Sequence, residues 1–319
     1  MSQTLKPRKV LVWHVHGSWM ESFTSGRHEY VIPFSGDDRA GGLKGRQWSR
    51  AVEATPEELS NLEVDLVVLQ APEQLALAES WLGRRVGVDV PAVYVEHNAP
   101  RPSPVDSVHP MAERDDVLVV HVTQYNRLMW DNGSAPTSVV AHGIHDPGPL
   151  YTGEIASAAT MINEPRRRWR TVGADLLEPL GRHVPVDVWG IGTDGVDLGP
   201  RVTGRGDLPA TQLMAQVARR RLYVHTARWT SLGLSLLEAM FLGLPVVAVA
   251  STMAPLVIPS EAGVVDADLD VLGWAAEGFV ADHGSAVAAG KAAREFATSH
   301  FGIGRFLAEW DLLIEEACS

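Results

Sequence analysis

Short apolar segments alternate with longer segments of mixed polarity along the whole chain of 319 residues. Several of the apolar segments, such as VDLVVLQ and DVLVVHV, are almost continuously hydrophobic, which is typical of parallel strands buried on both faces. In the first half the pattern predicts strands at residues 9–16, 29–33, 64–70, 91–97, 117–121 and 137–141. In the second half it predicts strands at residues 157–163, 184–189, 222–226, 245–250 and 263–265.

Between these strands, apolar positions recur at helical spacing. The predicted helices are at residues 72–83, 105–114, 124–132, 172–181, 209–219, 232–242, much of 269–300, and 304–317. The segment HGIHDPGPLYTG, residues 142–153, concentrates Gly and Pro and is the best candidate for a domain boundary. We therefore expect two β/α domains, the first covering residues 1–147 and the second beginning at residue 148.

Composition and charge narrow the class of protein. Hydrophobic residues make up 45% and charged residues 21%, which is ordinary for a globular protein and too apolar for a disordered one. The longest apolar runs are far shorter than the roughly 18 residues of a membrane span. The formal charge of −12 is shared by both halves and disfavours binding to nucleic acid or an anionic membrane. A single cysteine, Cys318, and the lack of an apolar leader at the N-terminus predict a cytoplasmic protein.

The most specific pattern lies in residues 221–251, which read as strand, loop, helix, turn and strand. Thr230 and Ser231 are suitable N-caps for this helix, and its N-terminal amides would favour a phosphate or a sugar hydroxyl. Glu238 is the single acid of the apolar helix LSLLEAMFLG, where a carboxylate can accept two hydrogen bonds from a ribose diol. Taken alone, Glu238 would be read as a surface residue of an amphipathic helix.

The segment GLSLLEAMFLGLPVVA closely resembles the C-terminal signature of retaining GT-B glycosyltransferases, especially those of family four. That signature has a Glu, seven residues, a second Glu, Ala-Met and a Gly-x-Pro-Val turn. The resemblance implies that Glu238 holds the ribose of the donor nucleotide and that Gly233 lies in the loop near the donor sugar. It also implies that Ser231, Leu232 and Gly233, at the helix N-terminus, stabilise the departing diphosphate. Thr230 stands where the family has its first Glu, which contacts hydroxyls of the donor sugar; the resemblance thus implies that Thr230 hydrogen-bonds to the donor sugar, without a charge. This departure bears on the identity of the donor sugar and, less strongly, on catalytic competence.

Four arginines follow the first predicted strand of the second half, in MINEPRRRWRTVGADLLEPL. Arginine is suited to bidentate binding of phosphate. The segment resembles the first strand of the family's C-terminal domain, with an Arg and then Lys-Gly before a helix; here Val172 replaces the Lys. The resemblance implies that Arg166 or Arg167, together with Arg170, binds the diphosphate and stabilises it as it leaves. The alternative is a solvated basic turn.

Two strand ends in the first half carry further candidates. The loop after VWHVH contains Gly17 and Ser18, and the resemblance implies that it abuts the donor sugar and diphosphate, with glycine allowing close approach. An ordinary glycine turn is the alternative. The strand PAVYVEH ends on His97, which the resemblance places near the donor sugar and the acceptor, where it would bind a sugar hydroxyl and orient the reacting groups. A structural core histidine is the alternative for His97.

The Gly-rich segment RAGGLKGRQWSR holds Arg39, Lys44, Arg46 and Arg50. We interpret it as a basic loop on the acceptor side, and an anionic group on the acceptor is a hypothesis that follows from its charge.

Two other patterns resemble known motifs but fail on context. Gly190, Gly192 and Gly195 have the G-x-G-x-x-G spacing, yet the following VDLGPRVTGRGDLP is not helical, so a dinucleotide fingerprint is excluded. We interpret the segment as a strand-end loop lining the nucleotide site, with Gly190 as its best candidate. The acids of DADLD, residues 266–270, fall where a helix begins and are better explained by helix capping than by a metal. We expect no metal and no cofactor besides the donor.

The fold class expected is α/β, with two Rossmann-like domains of the GT-B type and an interdomain cleft. The resemblance implies that the C-terminal helix, within residues 302–319, crosses back onto the acceptor-side domain, while residues 148–301 bind the donor. The expected function is retaining transfer of a hexose-type sugar from a nucleotide-diphosphate sugar to a soluble acceptor. Three alternatives remain: a non-catalytic sugar-nucleotide-binding protein or partner subunit, a sugar-nucleotide epimerase and, last, a Rossmann oxidoreductase.

Overall fold

The computed structural model describes residues 6–36 and 41–319; Arg39 of the basic segment lies outside these ranges. The chain divides into two compact units. Unit 1 comprises Met1–Gly143 and Ile303–Ser319, and unit 2 comprises Ile144–Gly302.

Unit 1 is built on a seven-stranded sheet whose described neighbours are all parallel. Its strands are β1 (Lys9–Val12), β2 (Glu29–Pro33), β3 (Ala51–Ala54), β4 (Leu66–Leu69), β5 (Ala92–Glu96), β6 (Leu118–His121) and β7 (Thr137–Val139). Its helices in this part of the chain are α1 (Gly17–Phe23), α2 (Pro56–Leu59), α3 (Glu73–Leu82) and α4 (Gln124–Met129). The strand order is β3-β2-β1-β4-β5-β6-β7.

Unit 2 is built on a six-stranded parallel sheet in the order β10-β9-β8-β11-β12-β13. The strands are β8 (Ile155–Met161), β9 (Val186–Trp189), β10 (Val202–Gly206), β11 (Arg220–His225), β12 (Val246–Val249) and β13 (Gly263–Asp266). The helices are α5 (Leu177–His183), α6 (Ala210–Val217), α7 (Leu234–Leu242), α8 (Ala254–Val257), α9 (Leu269–Ala281) and α10 (His283–Phe301), and a short 3-10 helix at Ala174–Leu176 precedes α5. The expected α/β fold with two parallel sheets is confirmed.

The last helix, α11 (Ile303–Ala317), packs into the core of unit 1. Phe306 and Trp310 are buried beside Trp19 of α1. A Cβ atom on Gly143 would lie 2.3 Å from Cβ of Phe306, so only glycine lets the chain pass this close to the helix. The guanidinium of Arg305 donates to the carbonyls of residues 141 and 142 and fixes the start of α11.

The core of unit 2 has an apolar cluster in which Val186, Val188 and Leu222 pack against α5 and α9. Val186 and Val188 alternate with Asp187 and Trp189, whose side chains therefore lie on the other face of the sheet. Asp268 caps α9 by accepting a hydrogen bond from the Asp270 N–H, so the capping interpretation of DADLD is confirmed.

Several predicted elements differ from the structure. The helix predicted at residues 105–114 is wrong, because its backbone instead pairs with the segment from Asp131 to Ser134, as in the bond from His109 N–H to the Asp131 carbonyl. The prediction that Thr230 and Ser231 cap a helix is also wrong: α7 begins one turn later, and its N-cap is Gly233. The pattern did not predict β3, β10, α1, α2 or α8, which are short and rely on their neighbours.

Candidate functional site

The strand order of unit 2 places a binding crevice between β8 and β11. From β8 the chain proceeds to β9 and β10 on one side, and from β11 to β12 and β13 on the other. Loops that leave adjacent parallel strands in opposite directions open a crevice at the carboxyl ends of those strands, where ligands bind in open α/β sheets. The loops after β8 and β11 contain the predicted arginines and residues 230–233 respectively.

The two loops are held in close contact by Gly173. This residue has a φ of +68°, and a Cβ atom there would lie 1.9 Å from the Thr226 carbonyl oxygen. The Thr226 hydroxyl donates to the carbonyl of Val172 at 2.8 Å. The glycine that follows Val172 is therefore required by both backbone conformation and space.

Gly190 has a comparable role at the end of β9. Its φ is +129°, and a Cβ atom there would lie 2.1 Å from the carbonyl oxygen of Ile162, which follows β8. The side-chain oxygen of Asn163 accepts a hydrogen bond from the N–H of Ile191 at 2.9 Å. These contacts bring the turn after β9 against the loop after β8, so the predicted residue Gly190 lies at the edge of the crevice.

Glu238 lies on α7, about one turn from the helix N-terminus at this same edge. Its side chain is half-buried, and within residues 6–36 and 41–319 its carboxylate makes no hydrogen bond or ion pair. Burial raises the pKa of Glu238 to about 7. Beneath it, the buried Tyr223 hydroxyl donates to the Ser235 hydroxyl at 3.1 Å and accepts from the Met161 N–H at 3.4 Å. A carboxylate kept from water without a protein partner is prepared to accept hydrogen bonds from a ligand.

His225 is a residue that the sequence reasoning missed at this site. It ends β11 and is buried beside Gly233, where a Cβ atom would lie 3.0 Å from ring atom Cε1. Burial lowers the pKa of His225 to about 4, so the ring is neutral at physiological pH. The available signal was a polar residue at the carboxyl end of an apolar strand.

The residues before α7 are placed between this histidine and the helix. Thr230 is half-buried, Ser231 and Leu232 are buried, and Gly233 is the N-cap with an extended backbone. The first N–H groups of an α-helix have no partner within the helix. The start of α7 therefore directs N–H groups toward the crevice at the carboxyl end of β11.

The predicted arginines have separate partners instead of forming one free cluster. Arg166 donates to the carbonyl of Gly195 at 3.0 Å, and Arg167 is paired with Glu164 on the surface. Arg170 is largely exposed and pairs with Asp175 at 3.0 Å.

Asp175 also accepts two hydrogen bonds from Arg228, at 2.6 and 2.8 Å, and these bonds lower the pKa of its carboxyl. Arg228 belongs to the loop after β11 and was not predicted as a site residue. Two guanidinium groups thus share one carboxylate, which leaves a net positive charge near the crevice.

Unit 1 has its own switch point between β1 and β4, because the chain proceeds from β1 to β2 and from β4 to β5 on opposite sides. His97 follows the neighbouring strand β5, and its Nε2 lies 2.9 Å from the Gln70 side-chain oxygen. Gln70 donates its own amide N–H to the Trp13 carbonyl, so the Gln70 oxygen accepts from His97 Nε2–H. In the neutral ring, Nδ1 is then the acceptor.

Aromatic rings surround His97 and keep it neutral. Its ring centroid lies 4.2 Å from that of His16 and 5.1 Å from that of Trp19. Burial, with smaller contributions from His16 and His142, lowers the pKa of His97 well below its usual range. His142 has a pKa of about 4 for the same reason.

Gly17 and Ser18 form the first turn of α1, directly after this edge. A Cβ atom on Gly17 would lie 3.5 Å from Nη2 of Arg46 and 3.8 Å from Nε2 of His14. Arg46 also lies 3.7 Å from Glu21. Burial lowers the pKa of His14, and the charges of Lys44 and Arg46 lower it further. The basic segment therefore lies beside the predicted loop of unit 1.

Among residues 6–36 and 41–319, no group of three or more His, Cys, Asp or Glu side chains is arranged to hold a metal ion. Over the same residues, no helix is both long and apolar enough to cross a membrane.

Residues 194–296, which lie in unit 2, match the family described as glycosyl transferases group 1. No curated protein matches the chain significantly. Anabaena HepE in complex with UDP is similar at a TM-score of 0.71 and 15% identity, covering 98% of this chain and 100% of that one. Sucrose-phosphate synthase from Thermosynechococcus elongatus is similar at a TM-score of 0.71 and 14% identity, and the match covers 97% of this chain and 98% of that one. Against S. aureus TarM the TM-score is 0.63 at 15% identity, and the match covers 78% of this chain but only 55% of TarM.

These findings define the class of protein: an α/β chain with two Rossmann-like units and the GT-B fold. The family match then confirms the resemblance indicated by the sequence, which is to the group 1 glycosyltransferases.

Proposed function

We propose that this chain is a metal-independent, retaining glycosyltransferase. It moves a hexose-type sugar from a nucleotide-diphosphate sugar to a soluble small-molecule or glycan acceptor in the cytoplasm. The observation that carries the proposal is the Glu238 carboxylate, which is half-buried at the switch point of unit 2 and has no partner among the residues that the structure describes. The family match includes this residue, and the similar HepE structure binds UDP.

In this proposal Glu238 accepts hydrogen bonds from the two ribose hydroxyls of the donor. Gly173 and Gly190 keep the crevice walls free of side chains, so that backbone can approach the nucleotide. The N–H groups at Leu232 and Gly233 face the diphosphate. Fixed N–H dipoles of this kind stabilise charge that develops on a leaving group, because they need no reorientation during the reaction.

The diphosphate would also be bound by Arg166, Arg167 and Arg170. Arg170 is the most readily recruited, since it is exposed and gives Asp175 only one hydrogen bond. When Arg170 turns to a diphosphate, Asp175 keeps both of its bonds to Arg228 and is not left as an unpaired charge.

The chemistry follows from these charges. The bond between the anomeric carbon and the diphosphate oxygen breaks, and the electron pair leaves with the diphosphate. The acceptor oxygen bonds to the same face of the sugar, and its proton passes to the leaving phosphate oxygen. The arginines and the start of α7 stabilise that oxygen, and the configuration at the anomeric carbon is retained.

Unit 1 would supply the acceptor side. With Nε2–H donated to Gln70, Nδ1 of the neutral His97 is the ring acceptor for a sugar hydroxyl. Gly17 and Ser18 would approach the donor sugar and diphosphate. Lys44 and Arg46, beside Gly17, would bind an anionic group on the acceptor.

The first test is a calorimetric screen of UDP-, GDP-, ADP- and dTDP-sugars without metal, with Glu238→Ala measured in parallel. We expect one nucleotide class to bind and the variant to lose most of that affinity. Binding of no nucleotide, or binding unaffected by Glu238→Ala, would contradict the donor assignment.

The second test addresses the reaction. With the donor identified, acceptor pools are incubated with and without EDTA, and the anomeric configuration of the product is read by NMR. The proposal requires EDTA-insensitive turnover and a product with the donor's anomeric configuration.

A second candidate function is a non-catalytic sugar-nucleotide-binding protein or partner subunit. It is favoured by Thr230, which cannot supply the charge of the family's first Glu. This candidate predicts donor binding without turnover, and a Thr230→Glu variant that binds the donor would then be assayed for gained transfer activity.

A further inference from the structure

Unit 2 contains a cavity of about 400 Å³ outside the crevice described above. It lies on the face of the sheet that carries Asp187 and α6. Its lining includes Trp189, Arg205, Leu208, Gln212, Gln216 and Arg220. None of these residues has been assigned to the donor site.

The charge of the cavity is set by two arginines that share one buried carboxylate. Oδ1 of Asp187 accepts from Nε of Arg205 at 2.8 Å, and Oδ2 accepts from Nε of Arg220 at 2.9 Å. The Ser157 hydroxyl also donates to Oδ2, at 3.2 Å. Both oxygens of Asp187 are therefore occupied, and the three charged groups together carry a surplus of one positive charge.

Both arginines occur at irregularities of the sheet. The pairing of β10 with β9 shifts between Gly204 and Gly206, which leaves Arg205 as an extra residue. The pairing of β11 with β8 shifts between Arg220 and Leu222. Leu222 packs in the apolar core on the opposite face, whereas Arg220 contacts Asp187. A bulge interrupts the ladder and re-aims a side chain, and bulges are common beside functional sites.

Arg220 is held rigidly. Its guanidinium lies 4.6 Å from the centroid of the Trp189 ring, and Nη1 donates to the backbone and side-chain oxygens of Gln216 at 2.8 and 3.1 Å. Its side chain is only 7% exposed. Holding a buried guanidinium in this way keeps its donors pre-oriented before any ligand arrives.

In the cavity, the acceptor oxygens named above have hydrogen-bond partners, whereas several N–H donors of the described residues have none. The acceptor oxygens of Asp187 and Gln216 are bonded to the arginines. Within the part of the chain that the structure describes, Nη2 of Arg220, Nη1 of Arg205 and the amide nitrogens of Gln212 and Gln216 donate to no protein group. A ligand that satisfies this cavity must supply oxygen acceptors and negative charge.

We propose that this cavity binds the phosphate group of a small phosphorylated metabolite, such as a sugar phosphate. The donors come from three directions, β10, α6 and the start of β11, which suits a tetrahedral phosphate better than a planar carboxylate. Leu208 offers apolar surface to the organic part of the ligand. The site is independent of the proposed glycosyl transfer.

The experiment is calorimetric titration of the full chain with glucose 6-phosphate, inorganic phosphate, glucuronate and glucose. We expect glucose 6-phosphate to bind best and inorganic phosphate more weakly. We expect Arg205→Gln to weaken glucose 6-phosphate by about tenfold or more, because a charge-assisted hydrogen bond is lost. Gln212→Ala, which leaves the contacts of Asp187 intact, should weaken it by a smaller factor.

Arg219→Gln is the matched control. Arg219 is adjacent to Arg220, has 46% side-chain exposure against 45% for Arg205, and pairs with a single carboxylate, that of Glu154. Its loss should leave affinity unchanged. The titrations are repeated with saturating UDP, which should not displace glucose 6-phosphate from this cavity.

The proposal is overturned if glucose 6-phosphate does not saturate, or if glucose or glucuronate binds as tightly. It is overturned equally if Arg205→Gln binds like the wild type, or if UDP displaces the ligand. A purely structural arginine pair would change the unfolding midpoint of Arg205→Gln without changing any ligand affinity.

Discussion

Ionisation of Glu238 should make donor binding depend on pH. In the free protein burial raises its pKa to about 7, so the carboxyl is half-protonated near neutrality. A bound ribose would donate two hydrogen bonds to the ionised form and lower this pKa. Donor binding should therefore release a proton below about pH 7, and affinity should increase as the pH rises.

The magnitude follows from the two pKa values. If the complexed carboxyl returns to its ordinary value near 4.5, affinity should fall roughly 30-fold between about pH 8 and pH 5.5. His225, the neighbouring imidazole, has a pKa of about 4 and stays neutral over this range. A nucleotide-diphosphate sugar has no phosphate that titrates there, so Glu238 dominates the profile.

The assay is calorimetric titration of the best-binding nucleotide sugar at several pH values, in buffers of different ionisation enthalpy that report the protons released. Glu238→Gln is the matched control, because it keeps the shape and removes the charge. The variant should bind with a flat pH profile, about tenfold more weakly than the wild type at pH 5.5. Wild-type affinity that is constant, or that increases as the pH falls, would refute the role given to Glu238.

The same pKa makes an independent prediction about stability. A buried carboxyl with a raised pKa resists ionisation, so the free energy of unfolding should fall as the pH rises from about 4.5 to about 7. The loss relative to Glu238→Gln should approach about 3 kcal/mol, measured by urea denaturation across that range.

Three further predictions test the fold and the site. Gly173→Ala should lower the free energy of unfolding by about 2–4 kcal/mol, because the Thr226 carbonyl oxygen occupies the place of the new Cβ atom. The control, Gly192→Ala, has a similar φ but open space around it and should lower that free energy by about 1 kcal/mol. Urea denaturation measures both variants. Phe306→Ala should cost about 3–5 kcal/mol by the same measurement and detach α11, whereas Leu312→Ala, exposed on that helix, should change stability by less than about 0.5 kcal/mol. His97→Ala should lower kcat about tenfold or more while donor Kd stays unchanged; altered donor affinity with normal kcat would contradict its acceptor-side role.

The sequence predicted secondary structure correctly where burial in the core determines which residue types can occur. Apolar runs located eleven of the thirteen strands found in residues 6–36 and 41–319, because a strand covered on both faces must be hydrophobic throughout. The runs missed were AVEA and VTGRG, which lie at the sheet edges and contain charged residues or glycine. Those strands form because β2 and β9 offer backbone partners, a tertiary effect that leaves little trace in local pattern.

In the candidate site, too, some features follow from local sequence and others from tertiary contacts. The sequence by itself determined the two parallel sheets, the apolar helix carrying Glu238 and the glycines at strand ends, because each follows from periodicity or from a backbone that excludes a Cβ atom. Tertiary structure alone decided that Glu238 has no partner in the described part of the chain and that Arg170 shares Asp175 with Arg228. It also decided that two irregularities of the sheet bring arginines to one carboxylate. The physical reason is that charge pairing and burial depend on which distant segments meet, and strand order and register set those meetings.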